Sequence, residues 1–157
     1  MKVKVRVMTA LIAVLLLLSS CGKSTTADVN LSDVLAEISD SVQLPNELTK
    51  MTMSELTGLY GIESDEIVQF AGYYTDVGTL ADEIVLIEAK DSAAADTVRQ
   101  KVEDRYDAKL AEMKDYLPDE YEKIQNGTVL VQGSYIALIV SDNADTVQDI
   151  YKAAIKG

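Results

Sequence analysis

Gly133-Ser134-Tyr135-Ile136-Ala137-Leu138-Ile139-Val140-Ser141-Asp142 is the stretch from which the rest of the chain can be placed. Side chains alternate across a strand, so Tyr135, Ala137 and Ile139 share one face and Ile136, Leu138 and Val140 the other. A strand apolar on both faces must be central in its sheet, or covered on each side. Downstream, Val147, Ile150, Tyr151 and Ala154 recur at helical spacing, which predicts a last helix with Asp142 as its cap. Upstream, residues 128–132 predict a partner strand that meets this one about Gly133. Asn126-Gly127 reads as the turn before it. Asn126-Gly127-Thr128 also matches a glycosylation acceptor pattern, but the turn accounts for the same residues.

The same order of elements occurs once earlier. Residues 66–75, with Ile67, Val68, Phe70, Tyr73 and Tyr74, predict a strand. A turn over 76–79 leads to a second strand over 82–89, centred on Ile84-Val85-Leu86-Ile87. From Asp91 the period changes, and Val98, Val102, Tyr106, Leu110 and Met113 mark an amphipathic helix over 93–116 that Pro118 ends or kinks. Residues 119–124 predict a short helical turn. Leu86-Ile87, Asp91 and Ala95-Asp96-Thr97-Val98 are echoed by Leu138-Ile139, Asp142 and Ala144-Asp145-Thr146-Val147. The aspartates at these junctions are read as helix caps and first-turn acids, which the helix dipole favours. Ahead of the first strand, Asn30 can cap a helix bearing Leu31, Val34, Leu35 and Ile38. Thr52 with Glu55 forms a capping box before Leu56, Leu59 and Tyr60, and Gly61 can stop that helix. The expected fold is α+β: short N-terminal helices, then two strand-strand-helix units forming one antiparallel sheet packed against helices.

The N-terminus carries a different message. Lys2, Lys4 and Arg6 precede an apolar run over residues 7–18 interrupted by Thr9, and Ser19-Ser20-Cys21 follow at once. This is the order of a secretion signal, and the run is shorter than the roughly 20 residues that span a bilayer core. Leu18-Ser19-Ser20-Cys21 resembles the bacterial lipobox. The resemblance implies that the Cys21 thiol takes a diacylglyceryl group and that the preceding peptide is removed. The expected organisation is a signal peptide over 1–20, a lipidated cysteine and short tether over 21–29, and one extracytoplasmic domain over 30–157. That length suffices for a single hydrophobic core and is too short for two domains. The alternative for the leader is an uncleaved anchor with an incidental cysteine.

The full chain has 26 acids against 14 Lys and Arg. Loss of Lys2, Lys4 and Arg6 with the leader leaves 11 basic side chains, a balance of −15. Such a surface repels nucleic acid phosphates, so no nucleic acid partner is expected. No histidine occurs, which removes the commonest general base at neutral pH and every histidine metal site. Cys21 is the only cysteine, so no internal disulfide can form. No glycine-rich phosphate loop follows a strand, and no cofactor or metal is expected. Asp142-Asn143-Ala144-Asp145 offers three oxygen-bearing side chains but lacks the glycine and distant glutamate of a calcium loop, and capping explains it. The acid clusters Glu63-Asp65-Glu66, Asp82-Glu83 and Asp119-Glu120-Glu122 fit a charged surface. No catalytic residue is assigned. Adjacent Tyr73 and Tyr74 should point to opposite faces. Together with Tyr135, they are the candidates for a binding surface, since tyrosine joins an apolar body to a polar tip.

Three segments, the lipobox, Ile84-Val85-Leu86-Ile87-Glu88-Ala89-Lys90-Asp91 and Gly133 to Asp142, resemble small clostridial-type lipoproteins carrying a domain of unknown function. The resemblance covers most of the mature region and implies a Gram-positive cell membrane, with the domain on its outer side. It supplies no activity, ligand or active-site residue. Two functional classes follow. One is a non-enzymatic binding or accessory module, held to the membrane through the lipid on Cys21, that meets an envelope protein, peptide or glycan. The other is a carboxylate-dependent hydrolase acting on envelope material.

Overall fold

The computed structural model describes residues 29–156. The elements in chain order are α1 (Leu31–Ser41), β1 (Thr49–Lys50), α2 (Met53–Tyr60), β2 (Ile67–Tyr74), β3 (Glu83–Ala89), α3 (Ser92–Met113), α4 (Pro118–Gln125), β4 (Thr128–Gln132), β5 (Tyr135–Val140) and α5 (Ala144–Lys156). The helix ends follow local chemistry. Asn30 Oδ1 accepts from the Ser32 and Asp33 backbone N–H groups, and Asp91 Oδ1 accepts from Ala94 N–H. Thr52 and Glu55 form the capping box of α2, which Gly61 closes in the left-handed conformation. Gly133, at φ 60°, makes the tight link between β4 and β5. Gly127 meets a different demand. A Cβ there would lie 2.8 Å from the Ile139 carbonyl oxygen, so only glycine lets α4 turn so closely against β5.

The five strands form one antiparallel sheet in the order β1-β2-β3-β5-β4. The α+β expectation is met, and the doubly apolar β5 lies inside the sheet with all six residues buried. Each face of the sheet has its own core. Val85, Ile87, Ile136, Leu138 and Val140 face α2, α3 and α4, meeting Leu56, Val98, Val102 and Ile124. Ile84, Leu86, Tyr135, Ala137 and Ile139 face α1 and α5, meeting Leu31, Leu35, Ile38, Val147 and Tyr151. The result is a three-layer arrangement, which is why the central strands read as continuous apolar runs.

The sequence echo between the two strand-strand-helix units is not a structural repeat. β3 and β5 are antiparallel neighbours, each with its hairpin partner on the outside. A rotation that exchanges the two hairpins keeps both following helices on one face. Here α3 covers one face and α5 the other, so the units have opposite hand. What they share is the chemistry of a strand-to-helix junction. The second junction also departs from expectation. α5 begins at Ala144, the Asn143 carbonyl accepts from Val147 N–H, and Ser141 Oγ accepts from Asn143 N–H. Asp142 does not cap the helix; it is exposed and lies 3.5 Å from Lys123 Nζ. The edge strand β1, only two residues long, carries no period that a sequence reading could use.

Candidate functional site

The chain enters β3 through Asp82 and Glu83, which are 1% and 0% exposed. This overturns their reading as part of a charged surface. The cause is the inner face of α3. Its buried stripe runs Val98, Val102, Lys109 and Met113, with Arg105 beside it, so cations sit among apolar positions. Buried cations require an acid. Glu83 supplies it. Glu83 Oε1 accepts from Tyr60 Oη–H and from Arg105 Nε at 3.1 Å; Oε2 accepts from Arg105 Nη2 and Lys109 Nζ, both at 2.8 Å. Four donors meet the four acceptor positions of one carboxylate. The Arg105 guanidinium also lies 5.9 Å from the Tyr60 ring centre, within cation–π range.

The charges set the protonation states. Burial pushes the Glu83 carboxyl up, but the hydrogen bonds from Arg105 and the charges of Lys109 and Arg105 outweigh it and hold it below the ordinary glutamate value. Tyr60 is driven well above the usual phenol range by burial and then by the Glu83 charge. Glu83 is therefore a fixed anion with no lone pair to spare. This suits a pin between β3, α2 and α3 and does not suit a general base.

Asp82 belongs to a second cluster. Lys123 of α4 donates to Asp82 Oδ2 at 2.7 Å and to Glu120 at 3.2 Å, while Glu120 Oε2 accepts from Ala81 N–H. Asp82 Oδ1 is buried without a hydrogen-bond partner. Burial raises the Asp82 pKa despite Lys123, with Asp142 and Glu120 adding to the rise. The cluster ties α4 to the end of the β2–β3 connection. Beside it, Lys123, Asn126, Asp142, Asn143 and Asp145 line an open polar cleft of about 530 Å³. Asp82 is not in the lining of that cleft. Among the described residues no group of three or more acids is disposed to hold a metal ion, and no helix is long and apolar enough to cross a membrane.

A second groove of about 530 Å³ lies at the opposite end of the sheet, where β2 begins and β3 ends. Val68, Ala89, Lys90, Arg99, Val131 and Ser134 are among its lining residues. Val68 is 63% exposed and Val131 48% exposed, both high for valine.

The three tyrosines proposed for binding do not share a surface. Tyr73 and Tyr135 lie on the α1/α5 face, where Tyr135 is buried and Ser39 Oγ donates to Tyr73 Oη. Tyr74 packs on the opposite face, as alternation along β2 requires. Cys21, the leader over 1–20 and the tether up to residue 28 lie outside the described residues. Sequence reading missed the Glu83 centre, although one signal was present. Arg105 and Lys109 are four residues apart, flush with the Val98–Val102–Met113 stripe.

The chain belongs to a family described as a domain of unknown function, DUF4358, which matches residues 40–141. No curated protein and no solved structure matches it. The matched segment contains the whole sheet with α2, α3 and α4, but stops short of α5 and includes only the last two residues of α1.

Proposed function

We propose that this DUF4358 protein is a lipoprotein held on the outer face of a Gram-positive cell membrane through Cys21, and that its folded part is a non-enzymatic binding or accessory module. The observation that carries this reading is the unbroken order of basic end, apolar run and Leu18-Ser19-Ser20-Cys21. The start of the fold is compatible with it. Val29 is already buried and Asn30 already caps α1, leaving only residues 22–28 as a tether. Confinement by such a tether raises the effective concentration of a partner in the same envelope, whether protein, peptide or glycan.

The state of the acids supports a module over a hydrolase. A carboxylate-dependent hydrolase places two acids about a common cleft, roughly 5–9.5 Å apart. The buried Glu83 is fully bonded to Tyr60, Arg105 and Lys109, and Asp82 is held by Lys123 out of the neighbouring cleft. The test is expression of the full chain in a Gram-positive host, followed by mass spectrometry of the N-terminal peptide. The expected product begins at an acylated Cys21 and fractionates with membranes. Cys21→Ser should retain its leader and lose the lipid mass. An intact leader with a free Cys21 thiol on the unsubstituted protein would refute the anchor.

A further inference from the structure

We propose that β4 pairs with β4 of a second copy of this chain, joining the two sheets across a two-fold axis at Leu130. The pairing goes beyond the anchor reading and does not need it. β4 is last in the sheet order, and its register with β5 runs without a shift from Thr128 to Gln132. One bond sets the direction of its backbone groups. Ala89 N–H donates to the Ser134 carbonyl at 2.8 Å, so Ser134, Ile136 and Leu138 bond towards β3, while Tyr135, Ala137 and Ile139 bond towards β4. The β4 partners of those three are Gln132, Leu130 and Thr128. Val129 and Val131 therefore turn their N–H and C=O groups to the outer side of the sheet. Among the described residues these groups meet only the Thr128 hydroxyl, which lies 3.5 Å from the Val129 carbonyl.

The opposite edge of the sheet is guarded. β1 is two residues long and carries the exposed Lys50, and the β2 ladder shifts register at Val68, between Ile67 and Gln69. Short strands, lysines and bulges are the devices that keep a sheet from adding strands. β4 has no charge, no proline and no bulge. Its sequence also fits a copy of itself run antiparallel. About Leu130, Val129 lies opposite the second copy's Val131, and Thr128 opposite the second copy's Gln132. Each Val129–Val131 pair exchanges two hydrogen bonds between outward-turned groups, and the symmetry repeats the pair, as an isologous contact requires. The valines continue the core on the α3 face and Leu130 the core on the α1/α5 face. Val131, 48% exposed in the single chain, is then covered by the second copy's Val129. A strand without charges places no like-charge pair across the ladder, which matters between two acidic chains.

The test is disulfide trapping in the full chain carrying Cys21→Ser, solubilised in detergent, so that an introduced cysteine is the only thiol. In the proposed register residue 130 faces its own copy as a non-hydrogen-bonded pair, with Cα atoms about 4.5 Å apart and within disulfide range. The two residues 131 lie about 8–9 Å apart, beyond that range. On oxidation Leu130→Cys should give a covalent dimer on a non-reducing gel, several-fold more than Val131→Cys. Adding Val131→Lys to Leu130→Cys should cut the dimer several-fold while leaving thermal unfolding of the reduced chain as in Leu130→Cys alone. Thr128→Cys with Gln132→Cys, which face each other between copies, serves should Leu130→Cys not fold. Equal trapping at 130 and 131 would show collision without register and overturn the pairing. Folded protein with no trapping at 130 or at 128 with 132 would also overturn it, leaving the edge to a strand of another protein.

Discussion

Cutting the chain to residues 40–141 removes nearly all of α1 and the whole of α5, the two helices that cover one face of the sheet. The cost can be worked from what remains. In that fragment Ile84, Leu86, Ile139 and Tyr135, all at most 3% exposed in the whole domain, meet water on the stripped face. At about 1.5–3 kcal/mol for each large side chain, the loss is about 6–12 kcal/mol, an upper estimate because unfolded chains already bury some surface. The burial of the helices' own side chains disappears as well, but so does the entropy cost of ordering them, and these two terms offset each other to first order. A domain of this size is stable by about 5–15 kcal/mol. The fragment should therefore lack a cooperative urea transition and bind a hydrophobic dye, whereas residues 29–157 should unfold in one step. A monomeric 40–141 fragment with a sharp transition and a native-like near-ultraviolet spectrum would refute the two-core account.

Glu83→Gln leaves Arg105 and Lys109 facing a neutral amide in a buried setting, and should lower the unfolding free energy by about 3–5 kcal/mol in urea titrations at pH 7. The same carboxyl sets part of the acid limb. Its folded pKa lies below the unfolded value of about 4.3, so in that window the unfolded state binds the extra proton and stability rises with pH. The contribution of Glu83 is present above pH about 4.3 and is lost as pH falls through its folded value, so Glu83→Gln should flatten the stability profile there. Tyr151→Phe should act in the opposite direction. The Tyr151 hydroxyl is buried without a hydrogen-bond partner, and burial, helped by Tyr135, drives its pKa upward. Removing it should leave the protein unchanged or more stable by about 1–3 kcal/mol in the same titration.

The legibility of this fold differs by level, and the reasons are physical. Capping at Asn30, Thr52 and Asp91 was readable because it depends on residues within one turn. The central place of β5 was readable because both of its faces are apolar, and a strand can satisfy both only inside a sheet covered on each side. Which helix covers which face was not readable. The Ala144-Asp145-Thr146-Val147 junction looks like Ala95-Asp96-Thr97-Val98 from the chain alone, yet α5 and α3 lie on opposite sides. Short-range pattern fixes where a helix starts, whereas the covered face depends on the packing of elements far apart in sequence.

The buried charges failed for a related reason. Asp82-Glu83 is indistinguishable from Glu63-Asp65-Glu66 by composition, and half of the difference lies 22 to 26 residues downstream, in Arg105 and Lys109. Glu66 finds Lys101 at 2.6 Å near the surface, where screening leaves a pair worth little. Glu83 finds two cations and a phenol inside, where each donor must be answered. A scan for cations aligned with an apolar helical stripe would have signalled a buried acid without naming it. Because that centre uses every acceptor position of Glu83, the most unusual ionised group among the described residues holds the fold together and has nothing left to offer a substrate. A partner of this domain would then be met at its surface and not at the Glu83 centre.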